Sequence, residues 1–154
     1  MRGKQAKKRI LDPDIVYNSV LVSRFINKLM MEGKKSIAQD IFYGALDLIK
    51  DEKKLDPLKT FEAALANAMP QMEVRTRRVG GANYQVPIPV EGNRQESLGI
   101  KWIIEAARAK KGQGMAIKLA TELVDAANNT GSAIKKKEDV HKMAESNKAF
   151  AHFR

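Results

Sequence analysis

Cysteine is absent from the 154 residues, which excludes disulfides, thiolate metal sites and thiol nucleophiles. Histidine is nearly absent: His141 and His152 both fall in the basic C-terminal segment, and neither has an acid–base partner at a fixed spacing. No run approaches the roughly 18 uncharged apolar residues of a membrane helix. The basic start MRGKQAKKRI has no apolar stretch of about 7–15 residues behind it, as a secretory signal requires. Phosphate loops are missing too. The run Gly33-Lys34-Lys35-Ser36 lacks the upstream glycine and follows a helical pattern, where a phosphate loop follows a strand. Asp12 and Asp14 have too few oxygen-bearing neighbours for a calcium loop and read as turn residues. The sequence therefore points away from an enzyme, a metal site, a cofactor, a small-molecule substrate and a membrane.

What is present in excess is positive charge. Lys and Arg number 28 against 18 Asp and Glu, a net +10 with pI near 9.8. With 44% hydrophobic residues and a mean hydropathy of −0.40, the chain can bury a core and fold as one unit. The charge is uneven: residues 1–35 carry nine basic and three acidic groups, and residues 36–70 four and six. Residues 71–111 carry eight and four, and residues 112–154 seven and five. Such sidedness fits a protein that turns some elements toward a polyanion, most commonly nucleic acid, and others away.

The pattern of apolar residues predicts a mainly α protein of six helices with one two-stranded antiparallel β-hairpin. Residues 1–12 form a basic arm, which orders on a partner, and 13–154 one domain including the hairpin at 71–91. A first helix runs from Ser19, with Leu21, Val22, Phe25, Ile26, Leu29 and Met30 as its stripe and Gly33 as its stop. A second runs from Ser36 to about Lys53, with Ile37, Ile41, Ala45, Leu48 and Ile49 inward. Asp56-Pro57 starts the third, with Asp as N-cap and Pro at the first position, and Pro70 ends it. Asn93 with Glu96 resembles a capping box for a fourth helix reaching about Lys111, with Leu98, Trp102, Ile103 and Ala106 inside. Met115–Ala127 is the fifth, and Ser132 to about Lys148 a weak, lysine-rich sixth whose few apolar residues are Ile134, Val140 and Met143.

Between the third and fourth helices the period changes. In MEVRTRRV, Met72, Val74 and Thr76 alternate with Glu73, Arg75 and Arg77, and in YQVPIPV, Tyr84, Val86, Ile88 and Val90 share a face. Gly80-Gly81-Ala82-Asn83 supplies the turn. Pro87 and Pro89, two apart, lack N–H groups on the same edge, so no third strand pairs there. Three arginines in four positions (Arg75, Arg77, Arg78) beside a glycine tip and Tyr84 suit phosphate and base contacts.

At these residues the chain resembles the bacterial-type small-subunit ribosomal protein family numbered seven. MEVRTRRVGGANYQVPIPV looks like that family's hairpin. LVSRFINKLMMEGKKSIAQDIFYGAL, GIKWIIEAARAKK and LATELVDAANNTGSAIKKKEDVHKMAESNKAFAHFR are similar to it in the same order, so nearly the whole chain is covered. The resemblance implies a structural constituent of the small ribosomal subunit. Such a protein binds the 3′ major domain of the ribosomal RNA and nucleates assembly of the head. It lies in the cytoplasmic ribosome near exit-site tRNA and messenger, beside proteins numbered nine and eleven. By that match the RNA contacts are Lys4, Lys7, Lys8 and Arg9 in the arm, Arg24, Lys28, Lys34 and Lys35 in and after the first helix, and Arg75, Arg77 and Arg78. Further candidates are the helical cations Arg94, Lys101, Arg108, Lys110, Lys111, Lys135, Lys136, Lys137 and Lys142. Gly80, Gly81, Ala82, Asn83 and Tyr84 are expected to face tRNA and messenger. The alternative is an architectural DNA-binding protein that wedges its arginine hairpin into a minor groove.

Overall fold

In a computed structural model the chain folds as α1 (Val20–Leu29), α2 (Lys35–Lys53), α3 (Pro57–Ala68), β1 (Met72–Val79), β2 (Ala82–Pro89), α4 (Gly92–Ala109), α5 (Met115–Ala127) and α6 (Gly131–Ser146), closed by a 3₁₀ turn over Lys148–Phe153. The structure describes Gly3 and residues 10–153, the side chains of residues 52 and 53 apart. The expected arm cations Lys4, Lys7, Lys8 and Arg9 lie outside the described residues.

The mainly α architecture with one hairpin is the one the periodicity predicts, and its helix starts follow from local chemistry. Asp56 takes the N–H groups of Leu58 and Lys59 at 3.2 and 3.3 Å and Pro57 opens α3, so the start read from Asp-Pro holds. Capping of this kind contributes about 1 kcal/mol. The bundle closes around three fully buried rings. Phe25 of α1, Phe42 of α2 and Phe61 of α3 pack pairwise at centroid distances of 5.2–5.3 Å, two of the pairs edge-to-face. Helix α5 packs against α2, α3, α4 and α6, and its Leu119 and Leu123 are fully buried.

Several details differ from the sequence reading. The buried face of α2 is Ala38, Phe42, Ala45, Leu46 and Ile49, so Ile37 is 53% exposed instead of inside. The large Phe42 ring takes the place facing Phe25 and Phe61 and turns the helix about one residue from the expected stripe. The Asn93–Glu96 capping box does not form: α4 starts at Gly92 with Glu91 as N-cap and no side-chain cap. Both capping-box side chains bind Arg24 of α1 instead. The hairpin turn is two residues, not four: Gly80 and Gly81 have φ of 57° and 89°, while Ala82 and Asn83 already pair with Val79 and Arg78. In β1 it is Glu73, expected on the solvent side, that is buried. The 3₁₀ turn after α6 had no signal in the periodicity, and Met143 of α6 is 46% exposed.

The register pairs Glu73 with Ile88, Arg75 with Val86 and Arg77 with Tyr84. Val90 N–H donates to Gln71 C=O at 2.9 Å, so bonded pairs fall at every second residue from there, and Pro87 and Pro89 turn their nitrogens to the outer edge. The sheet stops at two strands among the described residues, as the proline edge requires.

Gly131 is another position that calls for glycine. Its φ is 90°, and a Cβ there would lie 2.9 Å from Asp125 Cβ and 3.1 Å from Glu122 Oε1. That close approach lets Glu122 Oε1 accept the Ala133 N–H at 2.9 Å and cap α6 from α5. Glu122 is fully buried, and its other oxygen lies 2.9 Å from the Lys110 ammonium just beyond α4. This ion pair is shared with Asp125 at 3.1 Å. Burial opposes the charge on Lys110, but Glu122 and Asp125 outweigh it and hold the ammonium pKa above its ordinary value.

The rotated face of α2 gives a direct expectation. Phe42→Ala should cost about 3–5 kcal/mol of unfolding free energy, whereas Ile37→Ser should stay within about 0.5 kcal/mol of the parent. Urea unfolding of both variants checks it; equal losses would restore Ile37 to the core.

Candidate nucleic-acid interface

The cations that a polyanion could meet fall into two groups, those matched within the fold and those left to solvent. Arg24 donates from one guanidinium nitrogen to Glu96 Oε2 at 2.7 Å and Asn93 Oδ1 at 3.2 Å. The next residue, Arg94, donates to Glu73 Oε2 at 2.9 and 3.1 Å, and Arg75 lies 2.5 Å from Glu73 Oε1. Arg77, two residues along the strand, donates to the Phe153 carbonyl at 2.7 Å. These contacts link α1, the start of α4 and the ribbon into one track of arginines. Arg75 and Arg94 remain more than half exposed, so each keeps donors for a phosphate while anchored by a carboxylate.

Glu73 is the hub of that track. Burial works against its charged form, but hydrogen bonds and charge from Arg94 and Arg75 outweigh it and hold the carboxyl below its ordinary range. Farther along the ribbon, Tyr84 packs on Phe150 and Phe153 at centroid distances of 5.3 and 4.8 Å, which seats the 3₁₀ turn against β2. Tyr84 is therefore half-buried under aromatic neighbours, while Arg78, Gly80, Gly81, Ala82 and Asn83 are exposed.

Near the other end of the track lie Lys28, Lys34 and Lys35, all exposed. Lys34 pairs with Glu32 at 2.7 Å in the open, a contact of little energetic weight. Arg108 donates to the Leu29 carbonyl at 3.0 Å and so caps the end of α1 from α4. Lys101 lies 3.6 Å from Glu105 one helical turn on. Lys110 is committed to Glu122 and Asp125, and Lys137 donates to the Asn67 carbonyl at 2.5 Å. Lys28, Lys35, Arg78, Lys111, Lys135, Lys136 and Lys142 have no side-chain ion pair or hydrogen bond among the described residues. Lys135, Lys136 and Lys142 sit on α6, and no described contact joins them to the arginine track. The exposed acids Asp40, Asp47 and Asp51 lie together on α2.

Three residues matter that the periodicity gave no reason to single out. Asp14 is buried; it takes the N–H groups of Val16 and Tyr17 and the Tyr43 hydroxyl at 2.7 Å. Burial first, then that hydrogen bond and the negative charge, push the Tyr43 phenol up to about 12. Glu73 was hidden in a strand of alternating charge. His141, which has no acid–base partner by spacing, accepts the Gln71 N–H through Nε2 at 3.0 Å and so ties α6 to the base of the hairpin. That bond puts the ring proton on Nδ1.

The family model for ribosomal protein S7p/S5e matches residues 1–148. The chain is 60% identical over 154 residues to the small ribosomal subunit protein uS7 of Thermotoga neapolitana, covering all of this chain and 99% of that one. It is 58% identical to the Thermotoga maritima protein of the same name over the same shares. It is also 59% identical to that of Caldanaerobacter subterraneus subsp. tengcongensis, over 99% of this chain and 97% of the relative.

The His141 contact predicts a pH dependence. Burial, then the nearby Lys137 charge, lower the pKa of this imidazole in the folded protein. The unfolded chain, with an ordinary value of about 6.5, therefore takes the proton first as pH falls. The stability from this bond is complete above the ordinary value, declines as pH drops through it, and levels off below the folded value. Urea unfolding across pH 5–8 should show that loss, and His141→Gln should remove it. An identical pH profile in the variant would contradict the assignment.

Proposed function

Since the chain belongs to the ribosomal protein S7p/S5e family, a structural and non-enzymatic family of the small ribosomal subunit, we propose that it binds the 3′ major domain of small-subunit ribosomal RNA and helps nucleate the head. The observation that carries the proposal is the continuous basic track from α1 across the start of α4 to the ribbon. Arg24, Arg94 and Arg75 are oriented by carboxylates, which lowers the entropy lost when a phosphate binds. Lys28, Lys34 and Lys35 extend the track as mobile point charges. Lys4, Lys7, Lys8 and Arg9 of the basic stretch 1–12 add to it by sequence. Lys110, Arg108 and Lys137 hold the fold together first and contribute to the field only at second hand.

The exposed Gly80-Gly81 tip, with Ala82 and Asn83 beside it, projects beyond the anchored part of the ribbon and is proposed to face exit-site tRNA and messenger. Glycines there let a nucleic-acid backbone come close. The proteins numbered nine and eleven are the proposed neighbours in the assembled particle, on the family resemblance. The acidic outer face of α2 is the part of the surface least suited to RNA.

If about 6–10 phosphates are neutralised, affinity for a 3′ major domain fragment should fall by roughly 10³–10⁵ between 50 and 200 mM salt, with duplex DNA as the guide. Filter binding over that range tests it, with a B-form duplex as competitor. A flat salt dependence, or displacement of the RNA by equimolar duplex, would overturn the proposal.

A further inference from the structure

A groove of about 500 Å³ separates α1 from α4, and its walls are two helical faces. Arg24, Asn27 and Lys28 of α1 stand at i, i+3 and i+4; Asn93, Glu96, Ser97 and Ile100 of α4 stand at i, i+3, i+4 and i+7. Leu11 also lines the groove and is 39% exposed, while Ile100 is 2% exposed. The lining therefore combines two apolar side chains with amides, a hydroxyl, a carboxylate and the charges of Arg24 and Lys28.

Several groups in it have nothing to bind among the described residues. Glu96 gives only Oε2 to Arg24, so Oε1 is a free acceptor. The side chains of Asn27 and Ser97, both half-buried, make no hydrogen bond. Asn93 offers its amide nitrogen, since its oxygen is taken by Arg24. A bare phosphate suits this lining poorly, because Glu96 would repel it. A nucleobase suits it well: its face can lie on the exposed Leu11 while its edge meets amide donors and acceptors.

Resting on the reading that the chain binds ribosomal RNA, we propose that this groove takes one unstacked nucleotide from a single-stranded stretch of that RNA, with a base bearing an exocyclic amino group. The amino group donates to Glu96 Oε1, Asn27 and Ser97 meet the remaining base edge, and Lys28 meets the adjoining phosphate. Arg24 positions Glu96 and balances its charge. The groove thus supplies base selection to a surface otherwise built for phosphates.

The test compares three proteins on the same 3′ major domain fragment: the parent, Asn27→Ala with Ser97→Ala, and Lys28→Ala. Neither the Asn27 nor the Ser97 side chain makes a hydrogen bond among the described residues, so thermal unfolding should stay close to the parent's. The double variant should lose roughly tenfold in affinity or more with its salt slope unchanged, as expected for base contacts. Lys28→Ala should instead reduce the slope by about one. Dimethyl sulfate and kethoxal probing should find one single-stranded A, C or G whose pairing edge is protected by the parent and exposed with the double variant, the rest of the footprint staying. Unchanged affinity and protections in the double variant would overturn the groove and leave RNA binding intact. Failure of the parent to bind the fragment would overturn both.

Discussion

A carboxylate taken out of water at Glu73 must be matched by cations, and the two that reach it come from different elements. Arg75 belongs to the same strand and Arg94 to the first turn of α4. The pair therefore does more than neutralise a charge. It fixes the base of a ribbon that has two strands among the described residues against the helical body. Everything proposed for the ribbon depends on that fixed angle. The arginines along the strand reach the same polyanion as α1 only if the strand is held beside α4. The Tyr84 contact with Phe150 and Phe153 then supports the ribbon farther out.

The same logic sorts the positive charge of the whole chain. A net +10 spread at random would repel itself and oppose compaction. Here part of it is used inside. Lys110 satisfies the buried Glu122, Lys137 and Arg108 satisfy carbonyls at the ends of α3 and α1, and Arg24 joins α1 to α4. Removing a cation of the first kind leaves a buried acceptor unmatched, which is why such residues count toward folding before binding. The solvent-facing cations, Lys28, Lys35 and Arg78 among them, carry no such duty among the described residues and are the ones proposed to meet RNA.

Much of this was legible in the sequence wherever local chemistry decides. Asp56-Pro57 opens α3 because both residues act on the first turn alone, and the proline pair limits the sheet because a missing N–H needs no tertiary context. Reading failed where a neighbour distant in sequence decided. Ile37 and Phe42 compete for the inside of α2, and the choice is made by the rings of Phe25 and Phe61. Asn93 and Glu96 have capping chemistry, but Arg24, some seventy residues earlier, takes them. Glu73 and Glu122 look like surface acids until the cations that bury them are placed. The basic candidates were found from composition and resemblance; which of them are committed within the fold became visible only in the contacts.

The central claim, that the charge of Glu73 holds the ribbon at a fixed angle to the helices, has a direct measurement. A chain without cysteine accepts two spin labels cleanly, one at the hairpin through Ala82→Cys and one on the exposed side of α3 through Glu62→Cys. Pulsed dipolar spectroscopy on that pair should give a single narrow distance distribution. The same pair with Glu73→Gln should broaden it, with the helical bundle unchanged by circular dichroism. A distribution as narrow with glutamine as with glutamate would contradict the account.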